Sequence, residues 1–314
     1  MSFAATSGHV VTVRVPAKVN LELMVGPLRA DGFHDLATVF QAVGVHDDVS
    51  VEFSDEWGIT VNGPYADLVP VDETNLAMRA ARLLAGEAGV DLPVHITIDK
   101  DIPVAGGMAG GSADAAAALV ACDALWGVGS SKAALQDLGA ELGSDVPFAL
   151  NGGTAIGSGR GDHLVPVLGR GRYHWVFAIS DVGLSTATVY AECDRLRARR
   201  RVSGPAPTAS MMTALRAGDA ASLGRALSND LQPAALSLQP RLAAVLETGM
   251  RFGALGGIVS GSGPTVAFLV ADTEGGLDLA VALTASGAAP AVARAMGPVH
   301  GAHVITGPAG PRSS

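Results

Sequence analysis

The chain has 314 residues and a formal net charge of −9, which disfavours a nucleic-acid partner because phosphate binding needs clustered lysines and arginines. Charged residues interrupt every apolar run before it reaches the roughly 18 residues of a membrane-spanning helix, and the first ten residues lack the features of a signal peptide. We therefore expect a cytoplasmic protein that does not enter a membrane.

The first half of the chain shows strand and helix patterns in turn. Apolar residues at every second position predict strands, and Pro16 and the pair Asp47-Asp48 are interpreted as breaks between them. Thr74 or Asn75 is the predicted N-cap of the first helix. The predicted strands are 10–15, 19–25, 36–45, 49–53 and 94–98. The predicted helices are 74–88, 112–126, 131–142 and a short one that begins at 144–147.

The second half follows a glycine-rich stretch, 157–161, that is typical of a hinge. The length of the chain suits two domains of roughly 150 residues, which we place at 1–160 and 161–314. Alternating strands and helices predict an α+β arrangement beyond the hinge. The predicted strands are 174–180, 265–271 and one ending near Ile305, and the predicted helices are 188–199, 208–217, 219–227, 240–249 and 276–286.

Residues 103–116, PVAGGMAGGSADAA, form a glycine-rich loop between a predicted strand and a predicted helix. Glycines let successive backbone N–H groups converge on one point, and the following helix directs its positive end there. Such a loop can bind phosphate without a charged side chain. Ser112, at the start of the helix, can either donate a hydrogen bond to a phosphate oxygen or cap the helix.

Three other interpretations of this loop fit less well. A P-loop needs GxxxxGK[ST], but Ser112 stands in the place of the lysine and Ala113 in that of the hydroxyl residue. A dinucleotide-binding fingerprint needs GxGxxG after a first strand, and Met108 interrupts the glycines here. A tight turn without a ligand stays open, although the loop has more small residues than a turn needs.

The loop, with Pro103 ahead of it and Ser112 behind, resembles the phosphate loop of the GHMP kinases. Four further segments resemble the branch of that family that phosphorylates the 2-hydroxyl of a cytidine-diphosphate-linked methylerythritol in non-mevalonate isoprenoid synthesis. They are PAKVNL (16–21), DGFH (31–34), GSDVPF (143–148) and SGSGPT (260–265), in the expected order. Ala109 and Ala113 depart from the usual Gly and Ser of the loop, and Phe33 stands where the family often has Tyr.

The resemblance implies a two-domain α+β fold, with an N-terminal domain similar to ribosomal protein S5 and a ferredoxin-like C-terminal domain. It implies ATP and Mg²⁺ as cofactors and a small-molecule substrate, with no obligate protein partner evident. Ser112 is the one candidate magnesium ligand. The implied ATP-binding residues are Pro103, Val104, Ala105, Gly106, Gly107, Met108, Ala109, Gly110, Gly111, Ser112 and Ala113.

The resemblance assigns catalysis to Lys18 and Asp145. Asp145 would orient and deprotonate the substrate hydroxyl, while Lys18 would keep Asp145 ionised and steady the nucleophilic oxygen. Sequence context alone favours other roles for both residues. Asp145 would then be a helix N-cap just before Pro147, and Lys18 would be a solvated surface lysine.

The candidate substrate-binding residues come from both halves of the chain. Asn20 is polar within an apolar strand and needs a partner if it is buried. The resemblance implies that Phe33 stacks on the cytosine ring and that His34 hydrogen-bonds the edge of the base. Tyr190, with Thr186 nearby, would lie at the other face. The alternative for His34 is a surface loop histidine.

Two questions stay open at the level of sequence. The 260–265 loop is either a turn ahead of the next strand or a contact to the substrate or the glycine loop across the cleft. The chain as a whole has three other interpretations: a sister GHMP kinase for another alcohol, an inactive nucleotide-binding regulatory protein, and an RNA-binding protein built on the S5-like fold. The net charge of −9 argues against the last.

Overall fold

The computed structural model describes residues 9–199 and 202–306. In this part of the chain the strands form two sheets, of eight and four strands, and α-helices pack against both. The architecture is α+β, as the sequence predicts. None of the described helices is long and apolar enough to cross a membrane.

The described strands are β1 (Val10–Leu28), β2 (His34–Phe53), β3 (Gly58–Asn62), β4 (Val94–Asp99), β5 (Thr154–Gly159), β6 (His163–Pro166), β7 (Tyr173–Ile179), β8 (Ser228–Asn229), β9 (Gly256–Val259), β10 (Val266–Val270), β11 (Ala291–Gly297) and β12 (His303–Thr306). The described α-helices are α1 (Leu76–Ala88), α2 (Gly110–Trp126), α3 (Lys132–Leu142), α4 (Val146–Asn151), α5 (Thr186–Arg197), α6 (Ala209–Ala217), α7 (Ala220–Ala226), α8 (Gln232–Leu238), α9 (Arg241–Arg251) and α10 (Thr273–Ala285). The larger sheet is branched. Its main path is β12-β1-β2-β4-β3, and in addition β5 pairs with β2 and β6, and β8 pairs with β1. The smaller sheet has the order β11-β7-β10-β9.

Two long strands replace four predicted ones. β1 continues through Pro16, which lies at a register shift in the pairing with β2. A bulge suits proline, because proline has no N–H to donate to the ladder. β2 continues through Asp47-Asp48. Asp47 is fully buried, and its carboxylate accepts hydrogen bonds from Lys100 and from two backbone N–H groups, so tertiary contacts override the local preference for a turn.

The predicted hinge at 157–161 is wrong. These residues lie in β5 and in the tight turn that leads to β6, and β5 pairs along its whole length with β2. A Cβ at Gly157 would lie 2.7 Å from the carbonyl oxygen of Gly161 and 2.8 Å from the Phe40 ring. Glycine therefore serves close packing here rather than a hinge movement.

Two helices begin two residues earlier than predicted, at Gly110 and at Thr186. α2 begins early because Ala109, in the left-handed conformation, turns the chain directly into the helix. α5 begins early because the Ser185 side chain accepts a hydrogen bond from the Thr188 N–H and caps the helix.

The division of the chain at residue 160 stays a prediction. Three strands beyond that residue belong to the larger sheet: β6 pairs with β5, and β12 pairs with β1. β8 also pairs with β1. The larger sheet therefore gathers strands from both predicted domains.

Helix α2 fixes the position of the glycine loop. Five of its alanines, Ala113 and 115–118, are buried in the core that β1, β2 and α1 share. Small side chains allow α2 to lie close to the sheet. The smaller sheet is joined to the larger one by the Trp175 indole, which donates a 3.0 Å hydrogen bond to the Gln41 side chain.

Candidate active site

A cavity of about 520 Å³ lies where the glycine loop, β1, β2 and α5 meet. Both halves of the chain contribute to its wall, so the site exists only in the folded protein. Its side walls include Lys18 and Asn20 from β1, Thr38 and Phe40 from β2, and Thr186 and Tyr190 from α5.

The glycine loop forms one wall of this cavity. Ala105, Gly107 and Ala109 have φ of 52°, 74° and 61°, a region that costs an L-residue roughly 1–2 kcal/mol. Two alanines in this region indicate that surrounding contacts hold the backbone in a demanding shape, as is common at binding sites. The chain then enters α2, whose first N–H groups have no helical partner and face an anion readily.

The structure divides the predicted ATP-binding residues into two groups. Eight of them line the cavity: Pro103, Ala105, Gly106, Gly107, Ala109, Gly110, Gly111 and Ser112. Met108 and Ala113 do not, because their side chains are buried in the core, and Val104 also lies outside the lining. The Met108 carbonyl instead accepts a 3.2 Å hydrogen bond from the Lys18 N–H and ties the loop to β1.

Lys18 and Asp145 lie side by side in the wall of the cavity and form an ion pair. The Lys18 Nζ lies 3.8 Å from Asp145 Oδ2, and their side chains are 8% and 30% exposed. Burial lowers the pKa of Lys18, and the charge of Asp145 opposes that shift. Asp145 occupies the N-cap position of α4 without a capping side-chain hydrogen bond. Its carboxylate is therefore open to the cavity, which favours the catalytic interpretation over the helix cap.

A chain of buried polar groups orients Lys18. Its Nζ donates a 2.6 Å hydrogen bond to Asn20 Oδ1, and Asn20 Nδ2 donates one of 2.8 Å to Thr38 Oγ1. Thr38 in turn donates to the Glu22 carbonyl oxygen at 2.8 Å. Because each of these side chains is satisfied by the next, the ammonium group has a fixed direction.

A second buried ionic cluster lies beneath the start of α2. Lys100 Nζ is 2.5 Å from Asp47 Oδ2 and 2.7 Å from Asp114 Oδ2, and all three side chains are almost fully buried. Asp114 Oδ1 has no hydrogen-bond partner among the residues that the structure describes. Two carboxylates thus share one ammonium, and burial, followed by the charge of Asp47, raises the pKa of Asp114 to about 8 against the opposing charge of Lys100.

This raised pKa predicts a pH-dependent stability. Between pH about 4 and about 8 the folded chain keeps the Asp114 proton while the unfolded chain loses it, so this group lowers the free energy of unfolding as pH rises through that window. We expect Asp114→Asn to flatten this decline, because the amide keeps a partner for Lys100 without the titration. Urea unfolding at pH 5 and pH 8 measures the effect, and an equal decline in both proteins would contradict it.

His34 lies behind Tyr190 at a second end of the site, and it is not itself among the residues that line the cavity. Its Nε2 lies 2.9 Å from Asp194 Oδ1, and its ring centroid is 5.2 Å from that of Tyr190. His34 is buried, so it is not a surface loop histidine. Burial raises the pKa of Tyr190, and the charges of Asp145 and Cys193 add to the shift, so the phenol stays neutral.

Phe33 lies at the outer edge of the site, and its stacking on the cytosine stays a prediction. Its side chain is 53% exposed and lies outside the cavity lining. Its ring instead faces the Arg160 guanidinium at 5.7 Å. The structure thus brings His34 and Tyr190 together but leaves Phe33 at the edge of the site.

The 260–265 loop contacts the glycine loop across the cavity, which favours the second of its two interpretations. Ser260 Oγ donates a 3.0 Å hydrogen bond to the Gly107 carbonyl, and the Thr265 N–H donates one of 3.3 Å to Gly106. Ser262 Oγ lies 3.0 Å from Thr186 Oγ1. The loop therefore joins the smaller sheet to both the glycine loop and α5.

Sequence reasoning missed Arg160 in the cavity wall and three residues that lie behind the wall, Asp194, Lys100 and Asp114. Asp194 could have been found from its spacing, since it lies one helical turn after Tyr190. Lys100 and Asp114 are separated by the glycine loop, and Arg160 lies in the segment interpreted as a hinge, so no local pattern linked them to the cavity. Arg160 lines the cavity.

No group of three or more His, Cys, Asp or Glu side chains within 9–199 and 202–306 is arranged to hold a metal ion. Ser112 and Asp145 both line the cavity, whereas Asp114 is bound to Lys100. The hydroxyl of Ser112 suits Mg²⁺, because this ion usually keeps several waters and takes phosphate oxygens as its other ligands. The residues present therefore fit a magnesium ion carried by a nucleotide.

Comparisons with known proteins agree with this geometry. The family model described as GHMP kinases N terminal domain matches residues 75–153, and the model described as GHMP kinases C terminal matches residues 211–289. The solved structure of a 4-(cytidine 5'-diphospho)-2C-methyl-D-erythritol kinase is 32% identical, with a TM-score of 0.74 and coverage of 90% of this chain and 98% of the other. A homoserine kinase from Cytophaga hutchinsonii, 19% identical with a TM-score of 0.72, shares the fold over 97% of this chain and all of its own.

Two relatives are much more similar in sequence. The 4-diphosphocytidyl-2-C-methyl-D-erythritol kinase of Streptomyces avermitilis is 56% identical over 295 residues, which cover 94% of this chain and 99% of the relative. The enzyme of the same name from Kineococcus radiotolerans is 60% identical over 266 residues, 82% of this chain and 81% of the relative. With identity this high over nearly the full length, the chain is a small-molecule kinase and belongs to the 4-diphosphocytidyl-2-C-methyl-D-erythritol kinases of the GHMP kinase family.

Proposed function

We propose that this kinase transfers the γ-phosphate of ATP to the 2-hydroxyl of 4-diphosphocytidyl-2-C-methyl-D-erythritol, a step in isoprenoid precursor synthesis. The observation that carries the proposal is the Lys18–Asp145 pair beside the glycine loop in one cavity. A small molecule and ATP are then the partners, and the use of ATP favours the cytoplasm as the location.

The roles of the residues follow from their positions. The N–H groups of the glycine loop and of the first turn of α2 bind the phosphates of ATP. Asp145 orients the substrate hydroxyl and accepts its proton, while the ammonium of Lys18 stabilises the negative charge that develops on the oxygen. Because Lys18 is held by Asn20, this charge needs no reorientation during the reaction.

Mg²⁺ is the proposed second cofactor. Ser112 would hold it through its hydroxyl, and the remaining ligands would be phosphate oxygens and water. The ion neutralises charge on the phosphate oxygens of ATP when it is bound. Asp145 then keeps its role as the base, because Lys18 already lies beside it.

The His34 end of the site is proposed to bind the cytosine. His34 is held by Asp194 at 2.9 Å and faces Tyr190, so an edge of the imidazole and a face of the phenol are both fixed. Thr186 lies in the same wall. Asn20 is committed to Lys18 and Thr38, so we propose that it acts on the substrate mainly by positioning Lys18.

We predict that His34→Ala chiefly raises the KM for the cytidine substrate, by about tenfold or more, because a buried hydrogen bond to the base is lost. kcat should change much less, since the reacting groups are untouched. Steady-state kinetics at saturating ATP measure both constants. The control variant is His303→Ala, in the exposed strand β12. An unchanged KM for His34→Ala would show that His34 does not bind the base.

The position of the new phosphate tests the reaction itself. After incubation with ATP and magnesium, two-dimensional phosphorus–proton NMR of the product should show a monophosphate coupled to no proton, because the carbon that bears the 2-hydroxyl is fully substituted. A monophosphate coupled to a CH or CH₂ proton would show transfer to another hydroxyl and would contradict the proposed geometry.

A further inference from the structure

Arg160 is a cation at the cavity that the catalytic roles leave unused. It lies in the tight turn between β5 and β6, and its side chain is 44% exposed. Among the described residues that line the cavity, Lys18 and Arg160 are the only cations. Lys18 is buried and committed to Asn20 and Asp145, whereas Arg160 is partly exposed and pairs with one aspartate, Asp162, so its guanidinium keeps donors for a ligand anion.

The Arg160 guanidinium is held from two sides. Asp162 accepts a hydrogen bond from the guanidinium at 3.1 Å and another from the Arg160 N–H at 3.2 Å. Burial of Asp162 opposes its ionisation, but these hydrogen bonds hold its pKa below the usual value. The Phe33 ring lies 5.7 Å from the guanidinium carbon on another side. The arginine is therefore pre-oriented, and part of its donor fork remains open.

The position of Arg160 along the site decides which anion it meets. The register of β5 on β2 pairs Gly159 with Leu36, two residues after His34. Arg160 thus lies at the end of the cavity nearest His34, which packs behind Tyr190 in the cavity wall, and not in the glycine loop that would bind ATP. Arg29, the other arginine of this region, is paired with Asp31 and Asp35 and lies outside the cavity lining.

We propose that Arg160 binds the diphosphate group of the nucleotide substrate and thereby selects a nucleoside diphosphate over a nucleoside. This inference rests on the proposed function, because the diphosphate lies between a base held at His34 and a hydroxyl held at Asp145. Phe33 then acts through Arg160, as a platform that orients the guanidinium, which explains why its ring is exposed rather than inside the cavity.

The test is calorimetric binding of cytidine and CDP, with the ATP site filled by a non-hydrolysable ATP analogue and Mg²⁺. The measured quantity is the ratio of the two dissociation constants, cytidine over CDP. We expect Arg160→Gln to lower this ratio by about 10- to 100-fold, the effect of losing a charge-assisted pair to phosphate, while cytidine binds as before. Arg160→Lys should lower it less, since the charge remains.

Arg14→Gln is the matched control. Its side chain is also 44% exposed and pairs with an aspartate, Asp48, but it lies outside the cavity lining. A fall of less than fivefold in the ratio for Arg160→Gln, or an equal fall for Arg14→Gln, overturns the proposal. If the wild-type protein binds neither ligand, the base pocket itself is wrong, and that result contradicts the proposed function as well.

Discussion

Replacing Asp145 with asparagine is expected to reduce turnover by about 10²- to 10⁴-fold, the usual contribution of a general base. The amide keeps the size of the side chain and cannot accept the proton. The carboxylate also opposes the shift that burial imposes on Lys18, so its loss lowers the pKa of Lys18 further. One substitution therefore weakens both members of the pair.

The affinity for ATP should stay nearly unchanged in this variant, because the glycine loop binds the phosphates. Single-turnover kinetics and ATP titration separate the two effects. Asp219→Asn is a suitable control, because Asp219 is also an N-cap aspartate but its carboxylate accepts a capping hydrogen bond from the Ser222 N–H. If turnover of the Asp145 variant falls less than about tenfold, Asp145 is not the base.

Replacing Gly107 with alanine is expected to cost about 2–5 kcal/mol of folding free energy. The residue has a φ of 74°, which costs alanine roughly 1–2 kcal/mol. A Cβ there would also overlap the carbonyl oxygen of Ser260, and relief of such overpacking costs about 1–3 kcal/mol more. The glycine loop and the 260–265 loop would have to separate, so ATP affinity should fall as well.

Gly111→Ala is the control for folding, because the new Cβ would have an ordinary contact of 3.5 Å with Leu76 and its φ is not positive. Its free energy of unfolding should stay within about 0.5 kcal/mol of the wild-type value. Chemical unfolding of the two variants measures the difference. Equal stabilities would show that the close approach to Ser260 does not constrain the loop.

The strands and helices with strong periodic patterns could be predicted from the sequence, and those fixed by distant contacts could not. Val19, Leu21 and Leu23 alternate cleanly and lie in β1 as predicted. Asp47 looked like a turn residue, yet it is buried within β2 because Lys100 and Asp114 complete an ionic cluster around it. No local pattern reports such a partner.

In the candidate site, too, local patterns could be predicted from the sequence and distant contacts could not. The glycine loop could be recognised because its chemistry is local, and eight of its residues line the cavity. The contact between His34 and Asp194 joins residues 160 positions apart, and Arg160 lies in a turn whose glycines suggested a hinge. The resemblance assigned Phe33 to the base, but Phe33 lies just before β2 begins at His34, with its ring exposed and facing the Arg160 guanidinium.

The most direct test of the account is the release of ADP from ATP and Mg²⁺ with 4-diphosphocytidyl-2-C-methyl-D-erythritol, measured beside homoserine, mevalonate and galactose. Activity with the cytidine substrate alone is the result that the account predicts. Activity with one of the other alcohols instead would keep the kinase but contradict the base pocket at His34 and the role of Arg160. ATP binding without turnover of any of the four would contradict the catalytic roles of Lys18 and Asp145.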